Sequence, residues 1–269
     1  MLFLSTRPLW LSGLILVALP TLLAMAGPVL VRRRASLDRL SSTNEVAGFK
    51  FATVGVIYAV LLAFAVIVVW EKFSGAEADV AQEAGAAATI YRLADGIEAR
   101  SGGELRDRLT DYIKVTIDED WPAMERGTSS PAATSAPDSV YAALLTFSPS
   151  DARGAALLAE VLHQLDLMTQ ARRVRLVAAS GIVPRIIWMM LVAGAVLTIA
   201  FTLFFGTRNL RAQALMTGAL SFLVFSGLLV IVAIDRPFSG SVEVRPEALV
   251  TVLEDFGAAS PHRTNDPVR

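Results

Sequence analysis

The sequence predicts an all-α membrane protein, in which four transmembrane helices carry a helical bundle inserted between helices two and three. Apolar residues make up 54% of the 269 residues and charged residues only 18%, which is too apolar for an ordinary soluble domain. Four long runs carry no charge. The polar segment between the second and third runs has helical periodicity and no strand pattern, which predicts the inserted bundle.

Each charge-free run is long enough to cross a bilayer, because about 20 apolar residues span a hydrocarbon core of roughly 30 Å. The runs are residues 8–31, 51–70, 186–207 and 212–234. The first run could also be a signal peptide, since Ala24-Met25-Ala26 has the small residues of a cleavage site. The basic residues 32–34 that follow it resist export and favour an uncleaved anchor.

Basic residues in the short loops predict the orientation, because cytoplasmic loops are enriched in Lys and Arg. The first loop and the third loop carry most of them: Arg32, Arg33, Arg34, Arg39 and Lys50, and Arg208 and Arg211. Both loops are therefore predicted to be cytoplasmic, with both termini and the insert on the outer, periplasmic side. Arginines at the membrane-proximal end of the insert argue for the opposite orientation: Arg172, Arg173, Arg175 and Arg185.

The segment 71–185 is predicted to form about four helices. The first has one face made of Val80, Ala84, Ala87, Tyr91 and Ala94, and Gly102-Gly103 is expected to end it. The second has the stripe Leu105, Leu109, Tyr112 and Ile113, and is expected to stop near Trp121-Pro122.

Residues 127–137 are predicted to be a low-complexity loop between the second and third helices of the insert. Helix returns over residues 139–146, and a last helix opens after Ser150 with a stripe of Leu158, Val161, Leu162, Leu165 and Met168. The predicted parts of the chain are therefore 1–70 with two spans, 71–185 with the insert, 186–235 with two spans, and 236–269. That last part holds a tail and a short amphipathic helix, which either packs on the bundle or lies along the membrane.

No arrangement of residues in the sequence is typical of an enzyme or a metal site. Cysteine is absent, and His163 is the one histidine in the part expected to fold. Asp118, Glu119 and Asp120 are consecutive, so on a helix they point about 100° apart and are expected to be a solvated surface. We therefore expect no catalysis, no cofactor and no metal. The net charge of −1 gives no reason to expect nucleic acid as a partner.

The spans hold no ionisable side chain at depth apart from a tyrosine, which disfavours transport through buried charges. A pore lined by apolar and hydroxyl groups is compatible with this composition, but four spans are too few to enclose one, so it requires a homo-oligomer. At the span ends, Glu71 and Arg236 are expected on the same membrane face. They are candidates for an interfacial ion pair, and ordinary flanking charge is the alternative.

Residues 44–84, NEVAGFKFATVGVIYAVLLAFAVIVVWEKFSGAEADVAQEA, resemble the bestrophin-like domain family. The segments IYRLADG, DEDWPAM and AIDRPFSG also resemble it, and the resemblance covers residues 44–250. It implies a multi-pass protein of the bacterial inner membrane with a helical insert. It also implies a distant likeness to bestrophins, pentameric anion channels whose second span lines the pore and whose helical region is cytosolic. The cytosolic helical region conflicts with the orientation that the loop charges predict.

Two functions follow as hypotheses. The first is an oligomeric ion channel in the bilayer, which by the resemblance is an anion-conducting pentamer. Its second span would line the pathway, with Thr53, Tyr58, Val60, Phe64 and Glu71 as candidates because they sample one helix side and its mouth. The second is a membrane scaffold or sensor that conducts nothing and whose helical insert binds a partner.

Overall fold

The computed structural model describes residues 8–181 and 183–259. These residues form helices and connecting loops without a strand, which confirms the predicted all-helical class. Four helices are long and apolar enough to cross a membrane, in agreement with the four charge-free runs.

The first two spans and their short loop open the chain. Helix α1 is Leu9–Arg34 and contains a π-helical turn at Leu14–Ala18. Helix α2 is the short segment Leu37–Ser41. Helix α3 is Asn44–Leu93, 50 residues that run from the second charge-free segment into the polar insert.

The insert continues with α4 at Ala99–Val115, α5 at Trp121–Glu125, α6 at Pro131–Leu145 and α7 at Ala152–Ala179. A 3₁₀ turn at Ala94–Gly96 precedes α4, and a π-helical turn at Thr116–Asp120 joins α4 to α5. The last two candidate spans are α8 at Arg185–Thr202 and α9 at Leu210–Ile234. Helix α10, Glu247–Ala259, follows them.

The described chain divides into two compact units. The span unit comprises residues 8–72, 183–236 and 240–242. The insert unit comprises residues 73–181, 237–239 and 243–259. The first division between them therefore falls inside α3, after Lys72.

Small residues let the helices of the span unit approach one another closely. A Cβ atom at Gly194 of α8 would lie 2.5 Å from a ring carbon of Tyr58 on α3, and one at Gly227 of α9 would lie 2.8 Å from Leu62. Real Cβ atoms cannot come this near to another carbon, so glycine sets the distance between these helices.

The loop between α8 and α9 is held by side chains from three helices. The carbonyl of Phe205 accepts from Nε2 of Gln213 on α9 at 2.5 Å. Asn44 of α3 pairs with Gly206 in both directions, at 2.9 and 3.0 Å. The carbonyl of Thr207 accepts from Nη1 of Arg32 on α1 at 3.2 Å. The third apolar run was predicted to be a span through residue 207, but the helix ends at Thr202 because these partners satisfy the backbone of the loop instead.

The predicted stripes form the core of the insert unit. Val80, Ala84, Ala87 and Tyr91 of the stripe on α3 are buried, and so is Ala94 in the 3₁₀ turn that follows. The predicted stripe of the last helix is mostly buried as well, and α10 packs on this unit: the rings of Tyr91 and Phe256 stack with centroids 3.8 Å apart. Of the two placements expected for the amphipathic helix, the structure therefore shows packing on the bundle.

Two predicted breaks are wrong. Gly102-Gly103 lies within α4, where a side chain at Gly102 would clash with the carbonyl oxygen of Ala94, so the glycine permits a close approach. The predicted loop 127–137 is helical from Pro131, since Ser130 caps the helix by accepting from the backbone N–H of Ala133.

The predicted stop near Trp121-Pro122 is also wrong. The backbone stays helical through the π-helical turn, and Pro122 is accommodated as the second residue of α5, which ends at Glu125.

Candidate functional site

Four of the five residues predicted to line a pathway share one exposed face of α3. Thr53, Val60, Phe64 and Glu71 are all exposed, and at about 100° per residue they lie within about 40° of one another around the helix. From Thr53 to Glu71 this face is about 27 Å long at 1.5 Å per residue, close to the thickness of a hydrocarbon core. We call it the α3 face.

Tyr58 lies elsewhere. It is about 160° from Val60 around the helix, is only 5% exposed, and packs against Gly194. The α3 face and Tyr58 are therefore on opposite sides of one helix, with Tyr58 on the side that packs inside the span unit.

The α3 face is apolar along its middle and has polar groups at its two ends. Phe64 is 64% exposed and Val60 50% exposed, so neither is covered by another helix of the protomer. The hydroxyl of Thr53 is occupied by a hydrogen bond to the carbonyl of Phe49 at 3.2 Å. Glu71 supplies a carboxylate at the far end.

The predicted ion pair between Glu71 and Arg236 is not among the salt bridges of the described chain. Glu71 is exposed and Arg236 is half-buried. Their pairing stays a prediction, and a double charge swap that restores what the single swaps remove would support it.

The insert unit contains a buried ion network that the sequence interpretation did not identify. Glu83 of α3 and Arg175 of α7 form its centre, and neither side chain is exposed. Nε of Arg175 donates to Oε2 of Glu83 at 2.7 Å, and Nη2 donates to Oε1 at 3.1 Å, which is the bidentate geometry of a strong pair. The hydroxyl of Tyr112 on α4 donates to the same carboxylate at 2.5 Å.

Asp120 is the second carboxylate of this network, and it is fully buried. Its Oδ2 accepts from Nη2 of Arg175 at 3.3 Å and from Nη2 of Arg172 at 3.4 Å, while its Oδ1 accepts from the backbone N–H of Ser130 at 3.0 Å. Asp120 ends the π-helical turn, a rare geometry that often occurs at functional positions. The network therefore joins α3, α4, α7 and the start of α6.

The expectation that Asp118, Glu119 and Asp120 form a solvated surface is wrong for Asp120. Its neighbours remain near the surface, and Glu119 accepts from the hydroxyl of Ser130 at 2.8 Å. Asp120 turns inward because two arginines offer it charged donors there, which offset the loss of water.

Electrostatic interactions in the network favour the charged form of Arg175 and the neutral form of Tyr112. Burial would lower the pKa of Arg175, but the Glu83 carboxylate outweighs this effect and the pKa is raised. Burial, with the Glu83 charge beside it, raises the pKa of the Tyr112 hydroxyl well above its usual value. In this network two carboxylates face two guanidinium groups.

A sequence signal for this network did exist. The buried positions of α7 continue from Leu165 and Met168 to Arg172, Arg175 and Ala179 at the same helical spacing. Charged residues that occupy a core stripe require buried partners, and Glu83 lies three residues after Val80 on the buried side of α3. Among the described residues, no group of three or more His, Asp or Glu side chains is placed to hold a metal ion.

Comparison with known proteins places the chain in a family. A family model described as the Bestrophin-like domain matches residues 18–249, which is most of the chain. No curated protein matches the sequence.

Solved structures share the fold at low sequence identity. A bacterial bestrophin homologue from Klebsiella pneumoniae, crystallised as an isoleucine-to-threonine mutant, is 12% identical with a TM-score of 0.71, covering 89% of this chain and 98% of its own. A leucine-to-threonine mutant of that homologue is 14% identical with a TM-score of 0.69, and the match covers 91% of this chain and 98% of the homologue. A structure described as a membrane protein is 13% identical with a TM-score of 0.70, and the match covers 91% of this chain and 98% of that protein. With the family model matched over most of its length, the chain belongs to the Bestrophin-like domain family.

Proposed function

We propose that the protein is a homo-oligomeric ion channel, conducting anions, in which the α3 face of each subunit lines the pathway. The observation that carries the proposal is the α3 face itself: an exposed apolar stripe of membrane-spanning length with Thr53 at one end and Glu71 at the other. The bestrophin-like fold supports it, since bestrophins are anion channels whose second span lines the pore.

An oligomer is part of the proposal, because four spans do not enclose a pore. By the likeness to bestrophins we propose a pentamer. Apolar side chains at the narrow part of such a pathway, with Phe64 as the largest on the α3 face, would gate by excluding water. The proposed pathway needs no catalytic group, cofactor or metal.

The decisive experiment is recording from the purified protein in planar bilayers, with flux into liposomes as a second measurement. We expect an anion-selective conductance in the wild type. Phe64→Ala widens the pathway and should raise the unitary conductance. Phe222→Ala is the matched control, since Phe222 is another exposed phenylalanine, 54% exposed, on α9. No selective conductance under varied pH, calcium and voltage would contradict the proposal and favour the scaffold or sensor.

The charge at the proposed mouth gives a second test of the same pathway. Glu71→Gln removes a negative charge at the end of the α3 face and should increase anion current at low ionic strength, with the effect shrinking as salt is added. Lys72 is adjacent and exposed but lies about 100° away around the helix, so Lys72→Gln serves as the control. Equal effects of both substitutions would indicate general surface charge rather than a pathway residue.

We propose further that the protein lies in the bacterial inner membrane with the insert on the periplasmic side. The basic residues of the first and third loops support this orientation. Two of the arginines that argued against it, Arg172 and Arg175, are buried in ion pairs with Glu83 and Asp120, so they are weak evidence for a cytoplasmic insert.

The orientation can be tested directly, because the chain has no cysteine. Ser129→Cys places one thiol at an exposed position between α5 and α6. A membrane-impermeant maleimide added to intact cells with a permeabilised outer membrane should label it. Protection until the inner membrane is broken would overturn this orientation and agree with the cytosolic helical region of bestrophins.

A further inference from the structure

The span unit contains an apolar cleft of about 520 Å³ beside the loop between α8 and α9. Its walls include Phe51 of α3, Phe205 of the loop, and Met216 and Leu220 of α9. Met216 is 71% exposed, so the cleft opens on the outer surface of the unit. The volume lies in the range of pockets that hold small organic ligands.

One polar group in this cleft has an unsatisfied hydrogen-bonding atom. Gln213 lines the cleft and is only 6% exposed. Its amide nitrogen donates to the carbonyl of Phe205, but its Oε1 has no partner in the described chain. A buried acceptor without a donor is unfavourable, so this oxygen favours a ligand that carries a hydroxyl or an N–H group.

A positive charge lies beside the same cleft. Nη1 of Arg32 donates to the carbonyl of Thr207, which lines the cleft, at 3.2 Å. No carboxylate within residues 8–181 and 183–259 forms a salt bridge with Arg32. Thr207 follows Phe205 by two residues, about 7 Å along an extended chain, so the charge and the amide oxygen lie within the reach of one headgroup.

We propose that this cleft binds an anionic phospholipid with a hydroxyl in its headgroup, such as phosphatidylglycerol. One acyl chain occupies the apolar cleft, the headgroup hydroxyl donates to Oε1 of Gln213, and the phosphate lies beside Arg32. The surface of a membrane-spanning unit is in contact with lipid, and basic groups between spans attract anionic headgroups. The site does not depend on ion conduction.

Binding is tested on the purified, delipidated full-length protein. Native mass spectrometry counts bound lipid, and thermal melting in detergent gives the shift on lipid addition. The wild type should bind phosphatidylglycerol in preference to phosphatidylcholine with the same acyl chains. Equal binding of the two lipids, or equal binding of glycerol phosphate without acyl chains, would overturn the proposal.

Two variants fill the cleft. Met216→Trp enlarges a side chain at the rim, and Gly48→Leu projects from α3, where a Cβ atom would meet Phe205 at an ordinary 3.8 Å. Each should weaken phosphatidylglycerol binding by about tenfold or more, since excluding two methylene groups from the cleft suffices. Leu215→Trp is the matched control, because Leu215 is the adjacent residue, is 63% exposed, and does not line the cleft.

Arg32→Gln separates the two parts of the site. It should reduce the preference for phosphatidylglycerol over phosphatidylcholine while binding of the acyl chain persists. The proposed site would be refuted if both folded cleft-filling variants bind phosphatidylglycerol as well as the wild type, or if Leu215→Trp loses as much phosphatidylglycerol binding as they do. Elution volume and circular dichroism establish that each variant is folded.

Discussion

Replacing Arg175 by methionine should destabilise the insert unit strongly. Arg175→Met keeps an unbranched apolar stem but removes three charged hydrogen bonds, at 2.7 and 3.1 Å to Glu83 and 3.3 Å to Asp120. It also removes a guanidinium that lies 4.8 Å from the ring centroid of Trp121. Among the described residues, buried Glu83 then keeps only the hydroxyl of Tyr112 as a side-chain donor, and its charge is uncompensated.

The expected loss follows from that unpaired charge. Breaking one partner of a buried pair costs about 3–5 kcal/mol. At about 2–4 °C per kcal/mol, the apparent melting temperature should fall by about 10 °C. Thermal melting of the purified protein in detergent, followed by circular dichroism and by tryptophan fluorescence, measures the change.

Two further variants make the test specific. Arg173→Met removes an exposed arginine two residues earlier on α7 and should melt like the wild type. Glu83→Gln combined with Arg175→Met removes both charges of the pair and should melt above Arg175→Met alone. If Arg175→Met melts at the wild-type temperature, or if Arg173→Met lowers the melting temperature by as much, the buried pair does not stabilise the insert unit in this way.

Two other predictions concern packing and pH. Burial holds the pKa of Tyr112 in the folded protein above its value in the unfolded chain. Above about pH 10 the unfolded chain therefore loses a proton that the folded protein keeps, and the free energy of unfolding falls as the pH rises further. Melting between pH 8 and 11 should show a smaller alkaline loss for Tyr112→Phe than for the wild type or Tyr141→Phe, and equal slopes would contradict this. Gly194→Ala should destabilise the span unit by about 1–3 kcal/mol, because the added methyl group clashes with Tyr58. Gly55→Ala is the control and should melt like the wild type, because a Cβ atom at Gly55 meets nothing within 4 Å. Equal melting temperatures for the two variants would show that α3 and α8 move apart without cost.

The helices and the apolar core follow from sequence because their signals are local. Charge-free length alone indicates four spans, and spacing alone indicates the buried faces of α3 and α4. The end of α8 was missed because apolar composition does not distinguish a helical turn from a loop whose carbonyls are taken by Arg32, Asn44 and Gln213.

The buried network could not be assembled from spacing, because its members are far apart in the chain. Glu83 and Arg175 are separated by 92 residues, and Asp120 stands in an acidic triplet that looks like a surface. The cap at Ser130 was hidden for a similar reason: a segment rich in Ala, Ser, Thr and Pro suggests a loop by composition, although Pro131 fits the first position of a helix.

The loop that follows α8 has a consequence for how the protein is made. Its three consecutive carbonyls take their donors from α9, α3 and α1, so no single hairpin of two spans can satisfy it. Backbone groups left unpaired beside lipid are strongly unfavourable, so this loop reaches its final form only when the first and last spans have met. Chain segments that end before Gln213 should therefore leave the loop open during biogenesis, and completion of the span unit waits for the emergence of α9.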